Sequence, residues 1–161
     1  TGHRAGRAKA VSTKTGDRDR HVYGPVPLRR FGRSLGVDLV PLKTCSHDCV
    51  YCQLGRTTCK TVRRRDWVDP ALIVAQVSDH LVTKPDIVAI AGSGEPTLAR
   101  GVGEVIAGIK ESTDVPVAVL TNGPLLGRPD VRRDLAPADI VAPSLDAPDE
   151  RLFRSVHRPP R

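Results

Sequence analysis

Asp86-Ile87-Val88-Ala89-Ile90-Ala91-Gly92-Ser93-Gly94-Glu95-Pro96-Thr97 is the stretch that decides the fold. Its first half is a continuous apolar run without polar alternation, which predicts a strand buried on both faces, as in a parallel sheet. The glycines that follow end the strand and let a ligand approach the backbone closely. Upstream, Asp69-Pro70 predicts a helix start, with aspartate at the N-cap and proline in the first turn. Leu72, Ile73, Val77 and Leu81 carry that helix to about Val82. Downstream, a second helix is expected from about Gly101 to Glu111. Helices on both sides of a buried strand imply crossover connections and a parallel α/β sheet.

The same alternation extends outward. Val37-Asp38-Leu39-Val40-Pro41 is a first strand candidate. Val115 to Leu120 is a third, ended by Thr121-Asn122-Gly123-Pro124. A short helix over Pro129 to Leu135 precedes a fourth strand, Asp139 to Ala142, which ends at Pro143-Ser144-Leu145-Asp146. A last helix is expected near Pro148 and includes Leu152 and Phe153. Residues 21–36 hold Gly24, Pro25, Pro27, Gly32 and Gly36, a density of breakers that predicts an ordered loop. Residues 1–20 are polar, basic and aperiodic, which predicts a disordered arm. Polar loops after strands mark the functional face of parallel α/β folds. Cys45, Glu95, Asn122 and Asp146 are expected to meet there.

Between the first strand and first helix lies Cys45-Ser46-His47-Asp48-Cys49-Val50-Tyr51-Cys52. Three closely spaced thiolates can hold three corners of a [4Fe–4S] cluster, leaving one iron open for a substrate or cosubstrate. Two other readings use Cys59 as a fourth ligand: structural zinc, or a closed electron-transfer cluster. Zinc sites usually show two paired knuckles, and only Cys49 and Cys52 form one here. Cys59 also reads as an ordinary small, partly buried residue. His47 and Asp48 read as loop-conformation and solvent residues rather than ligands. Tyr51 can pack beside a bound adenine, shield a cluster, or simply fill the loop. Glu95 can bind an ammonium group or serve as a helix-start charge. Ser144 and Asp146 suit ribose hydroxyls, or N-cap the next helix.

The 161 residues make one ordinary domain or part of a larger one. The chain begins on Thr1, contains no methionine and ends on Pro159-Pro160-Arg161, so it reads as a piece of a longer protein. No apolar run reaches membrane-spanning length and no signal peptide is visible. Four cysteines at these spacings point to metal or redox chemistry in a reducing cytoplasm, not to a disulfide framework. The net charge of +7 is uneven. Residues 21–65 hold nine basic and two acidic side chains, whereas residues 66–161 hold ten and fourteen. Arg29, Arg30, Arg33, Arg56, Lys60, Arg63, Arg64 and Arg65 flank the cysteines, a field suited to an anionic partner such as a nucleic acid. A thiolate-ligated cluster, itself anionic, also favours such neighbours. A metal-dependent RNA-binding module without catalysis is therefore a second reading.

The cysteine loop after a first strand, with Gly94-Glu95-Pro96-Thr97 after the second, resembles the radical S-adenosylmethionine superfamily over roughly Tyr23 to Arg158. Tyr23-Gly24-Pro25-Val26-Pro27, Arg33 to Asp38 and Tyr51 to Thr58 are similar to its iron–sulfur oxidoreductases grouped with wyosine-type tRNA-base synthases. The resemblance implies a partial parallel (β/α) barrel with about four of six strand–helix units present, the core spanning residues 21–161. It implies a [4Fe–4S] cluster on Cys45, Cys49 and Cys52, with S-adenosylmethionine on the open iron. Gly92, Ser93, Gly94 and Glu95 would align the methionine moiety, with Glu95 near its ammonium. Ser144 and Asp146 would approach the ribose, Asn122 the same rim, and Tyr51 the adenine. The implied reaction is reductive cleavage to a 5′-deoxyadenosyl radical that abstracts hydrogen from a substrate. The implied partners are an electron donor such as flavodoxin or ferredoxin, and an anionic or tRNA substrate.

Overall fold

The structure, a computed structural model, describes residues 20–160. The basic arm expected at the N-terminus lies outside the described residues, apart from Arg20. Strand β1 (Val22–Leu28) turns into β2 (Gly32–Val37), and the two pair antiparallel. The chain then makes two short strands, β3 (Thr44–Cys45) and β4 (Cys59–Lys60), which pair parallel in a sheet of their own. Helix α1 (Pro70–His80), β5 (Ile87–Ile90), α2 (Val102–Ser112), β6 (Val117–Thr121), α3 (Pro129–Leu135), β7 (Ile140–Pro143) and α4 (Glu150–His157) follow. The main sheet has the order β1-β2-β5-β6-β7. β2, β5, β6 and β7 are mutually parallel, so their C-terminal ends share one edge.

The register separates two faces by the two-residue period of strands. Leu35 pairs with Val88 and Val88 with Val117; Val37 pairs with Ile90 and Ile90 with Val119. These rows are fully buried in one core with Ile73 and Val77 of α1, Val105, Ile106 and Ile109 of α2, and Val131 and Leu135 of α3. The opposite row is small: Gly36, Ala89 and Ala118 stand side by side. A side chain at Gly36 would meet the Tyr23 ring at 2.2 Å, so that glycine is the seat of the aromatic ring.

Helix α1 starts as expected, with the Asp69 carboxylate accepting from Ala71 N at 2.9 Å and Pro70 in the first turn. The expected loop over 21–36 is instead the β1–β2 hairpin, and the first parallel strand is Gly32–Val37 rather than Val37–Pro41. The physical reason is edge position. Pro25 and Pro27 lie in β1, at the border of the sheet, where a missing N–H costs no inner ladder bond. No helix among the described residues is long and apolar enough to cross a membrane.

Candidate metal and cofactor site

Asp38, the first residue past β2, determines how the cysteine loop leaves the sheet. Its carboxylate accepts from Ser93 N and Ser93 Oγ, both at 2.6 Å, tying the end of β2 to the loop after β5. Burial raises the Asp38 carboxyl above its ordinary range, against the lowering effect of those Ser93 bonds. Gly92 sits beside it at φ +114°, and a side chain there would strike Asp38 Oδ1 and the Tyr23 hydroxyl. Burial, and then the Asp38 carboxylate, pushes the Tyr23 phenol up to about 12.

Backbone bonds then zip the two loops together. Lys43 N donates to Ser93 O at 2.7 Å and Glu95 N donates to Thr44 O at 3.0 Å. Gly94 lies against that carbonyl so closely that an added Cβ would sit 1.9 Å from Thr44 O. The pairing delivers Cys45, Cys49 and Cys52 to the same cavity as Gly92, Ser93 and Gly94, a space of about 100 Å³ also bordered by Lys43, His47 and Thr57. All three cysteines are free thiols, half-buried. Burial pushes the Cys45 thiol up to about 11, a cost that a bound cation removes by taking the thiolate.

The far side of the loop is held by α4. Asp48 N donates to His157 O and Val50 N to Val156 O, both at 2.9 Å, so the loop satisfies carbonyls at the C-terminal end of that helix. His157 Nδ1 lies 3.3 Å from Cys49 Sγ, and Asn122 Nδ2 donates to Cys45 Sγ at 3.3 Å. The Tyr51 hydroxyl donates to Asp146 Oδ2, and its ring meets His157 edge-on.

These positions revise several expectations. Glu95 does not line the cavity: it is 2% exposed, and its carboxylate accepts from Thr97 N and Oγ1, Thr121 Oγ1 and Asn122 N. It braces the β5 and β6 loops and caps the short 3₁₀ turn Pro96–Leu98, because buried polar groups close on one another where water cannot serve them. Ser144 and Asp146 are exposed at the end of β7; Asp146 engages Tyr51, while Ser144 N donates to Thr121 O at 2.9 Å. His47 is not a solvent residue: it is 1% exposed and packs edge-on against Phe153. Burial, with His157 and Lys60 adding to it, lowers its pKa to about 4. Cys59 is exposed on β4 rather than partly buried, and is not among the residues bordering the cavity. Arg64 is no surface charge. It is buried, donating to Thr97 O and Ala99 O and pairing with Asp130 and Asp134 of α3 at 3.0 and 2.6 Å. Asp38, Asn122's contact with Cys45, and His157 belong to the site by long-range contact, which no local motif announces.

The donor set tests well against an iron–sulfur cluster. Three free thiols converge on one space, the adjoining wall is glycine backbone, and the fourth cysteine stays outside. The fold and site thus define a parallel α/β domain that presents a three-thiol metal loop at the C-terminal edge of its sheet. The chain belongs to the radical SAM superfamily, whose family model matches residues 39–161. That membership implies a [4Fe–4S] cluster and S-adenosylmethionine as cofactors. UPF0026 protein MJ1312 of Methanocaldococcus jannaschii is 40% identical over 141 residues, 85% of this chain and 44% of its own length. UPF0026 protein slr1464 of Synechocystis sp. is 40% identical over 141 residues, 86% of this chain and 52% of its own. A protein named GTPase Obg from Brachyspira hyodysenteriae is 40% identical over 149 residues, 91% of this chain but 22% of its own length. The chain therefore spans about half the length of the UPF0026 relatives, and less of the third.

Proposed function

We propose that Cys45, Cys49 and Cys52 hold a [4Fe–4S] cluster and that the chain forms the cofactor-binding part of an enzyme that cleaves S-adenosylmethionine reductively. The observation that carries this reading is the shared cavity of the three cysteines and Gly92–Gly94. A bound, reduced cluster would supply the electron for reductive cleavage of S-adenosylmethionine, the chemistry that prepares hydrogen abstraction from a substrate. The protein's part is to orient and enclose. Gly92, Ser93 and Gly94 border the cavity, where the amino-acid end of the cosubstrate can lie against the loop, and the missing side chains of the two glycines make room for Asp38, Tyr23 and the Thr44 carbonyl. Ser144 and Asp146 stand at the next strand end as partners for ribose hydroxyls, with Tyr51 beside Asp146 for the adenine. Asn122 fixes the rim between them through Cys45 and Ser46. Glu95 serves indirectly, by holding the loop rather than the ammonium.

Arg29, Arg30, Arg56, Arg63 and Arg65 are exposed. They support an anionic partner, either an acidic electron donor such as flavodoxin or ferredoxin or an anionic substrate such as tRNA. The experiment is anaerobic reconstitution of the full chain with iron and sulfide, then reduction with S-adenosylmethionine present. A brown protein that releases 5′-deoxyadenosine is expected, and Cys49→Ala loses both properties. A filled cluster that yields no 5′-deoxyadenosine overturns the reading.

A further inference from the structure

Two of the three loop sulfurs carry a polar partner drawn from far along the chain. Asn122 Nδ2 reaches Cys45 Sγ at 3.3 Å across 77 residues, and His157 Nδ1 reaches Cys49 Sγ at 3.3 Å across 108 residues. Cys52 Sγ has no such partner among the described residues. Both partners are held in place independently of the sulfurs. The Asn122 Oδ1 accepts from Ser46 Oγ at 3.0 Å, which fixes the amide so that its NH₂ faces Cys45. Asn122 N is bound by the Glu95 carboxylate at 2.8 Å. His157 is 2% exposed, wedged among Phe153, His47 and Tyr51, with ring centroids 4.7, 5.4 and 5.7 Å away.

The Nδ1 of the buried imidazole lies 3.3 Å from Cys49 Sγ and 3.4 Å from the Tyr51 hydroxyl, while Nε2 makes no hydrogen bond and lies 3.8 Å from Asp146 Oδ2. A metal-bound thiolate has no proton to give. Whatever hydrogen bond joins Cys49 to His157 in the loaded protein must therefore be donated by Nδ1–H.

Resting on the proposed function, we infer that His157 and Asn122 are positioning residues that set the reduction potential of the cluster by donating hydrogen bonds to the sulfurs of Cys49 and Cys45. Hydrogen bonds to cluster sulfurs are among the factors that set the potential. Reduction adds negative charge, which spreads onto the thiolates, so an N–H aimed at sulfur favours the reduced state. The donors come from the loop after β6 and from the last turn of α4. Closure of those two elements on the cysteine loop therefore makes the cluster easier to reduce.

The test is a redox titration of the reconstituted full chain, followed by the EPR signal of the reduced cluster. His157→Phe keeps an aromatic ring in the cluster of rings and removes the donor. His157→Asn places an amide N–H near the Nδ1 position as a rescue, and Asn122→Leu removes the other donor. The expected result is a lower midpoint potential in His157→Phe and in Asn122→Leu, with His157→Asn closer to the parent. A tenfold smaller ratio of reduced to oxidised cluster at a fixed poise is the scale anticipated, about 59 mV for one electron. Unchanged potentials with full iron content overturn the inference. So does loss of iron on His157→Phe with Asn122→Leu unshifted, which makes His157 a ligand instead. Iron content and absorbance of the parent are read first. An absent cluster there refutes the proposed function itself, whereas an intact cluster with unmoved potentials refutes only the tuning role.

Discussion

Gly94 and Glu95 are neighbours with opposite demands. Gly94 is needed because it has no side chain, and Glu95 because its side chain is fully engaged. Gly94→Ala puts a methyl 1.9 Å from the Thr44 carbonyl, so the two loops must part or the strand ends must shift. Its expected cost is about 2–3 kcal/mol, read by urea unfolding of the cluster-free protein. Glu95→Ala strands the Thr121 hydroxyl and the Asn122 N–H in a buried site, and a loss of about 3 kcal/mol is expected in the same assay. A Glu95→Ala protein with parental stability but weakened S-adenosylmethionine binding would return Glu95 to the ligand role. The cysteines and glycines were legible in the sequence because their chemistry is local: spacing and a strand-to-loop change announce them. The bracing role of Glu95 was not, since Thr121 and Asn122 lie 26 and 27 residues further on.

At the scale of elements, helix starts and buried strands followed their sequence signals closely. Asp69-Pro70 opens α1, and the run through Ile87–Ile90 is buried at every position. The β1–β2 hairpin escaped, because glycine and proline mark loops and edge strands alike. Arg64 escaped too, since its neighbours in sequence are exposed and its partners are on α3. It joins the segment after the cysteines to that helix. Arg64→Ala removes a buried guanidinium from three carbonyls and two carboxylates. Both carboxylates are partly open to water, so the expected loss is about 2–3 kcal/mol, below that of a fully buried pair. The same contact predicts a pH dependence. Arg128, and with it Arg64, holds the Asp130 carboxyl well below the usual carboxylate range. A lowered native pKa means the unfolded chain takes up protons first. This stabilisation is complete above the ordinary aspartate pKa, about 4, and is lost progressively as pH falls further. Thermal unfolding of Asp130→Asn across pH 3–7 should show less of this acid dependence than the parent, and an identical profile would remove Asp130 from the account.

At the scale of the sheet, β1 and β7 are the two borders among the described residues. β1 closes the β2 side as an antiparallel cover, while β7 forms the opposite border. Ile140 and Val141 of β7 are 37% and 38% exposed, next to an apolar hollow bordered by Leu126 and Leu135. Bare apolar borders recruit other strands. The chain of 161 residues is therefore expected to self-associate at micromolar concentrations, and Val141→Lys to reduce that association, as measured by light scattering. Equal scattering from both proteins would place the contact elsewhere. The parallel order itself was readable from the alternation of apolar runs and helices. Charge was readable only in part: segment sums gave the basic character around the loop, but they could not reveal that Arg64 is spent inside.

The grip of α4 on the cysteine loop also has a meaning in time. His157 is made 108 residues after Cys49, which at ~5–20 residues per second is roughly 5–20 s on the ribosome. Through that interval the loop's carbonyl anchors do not yet exist, and its thiols are open to whatever delivers iron and sulfide. Nascent chains arrested before Glu150 should therefore take up iron faster than finished, cluster-free protein. Equal rates would mean that the latch does not control entry.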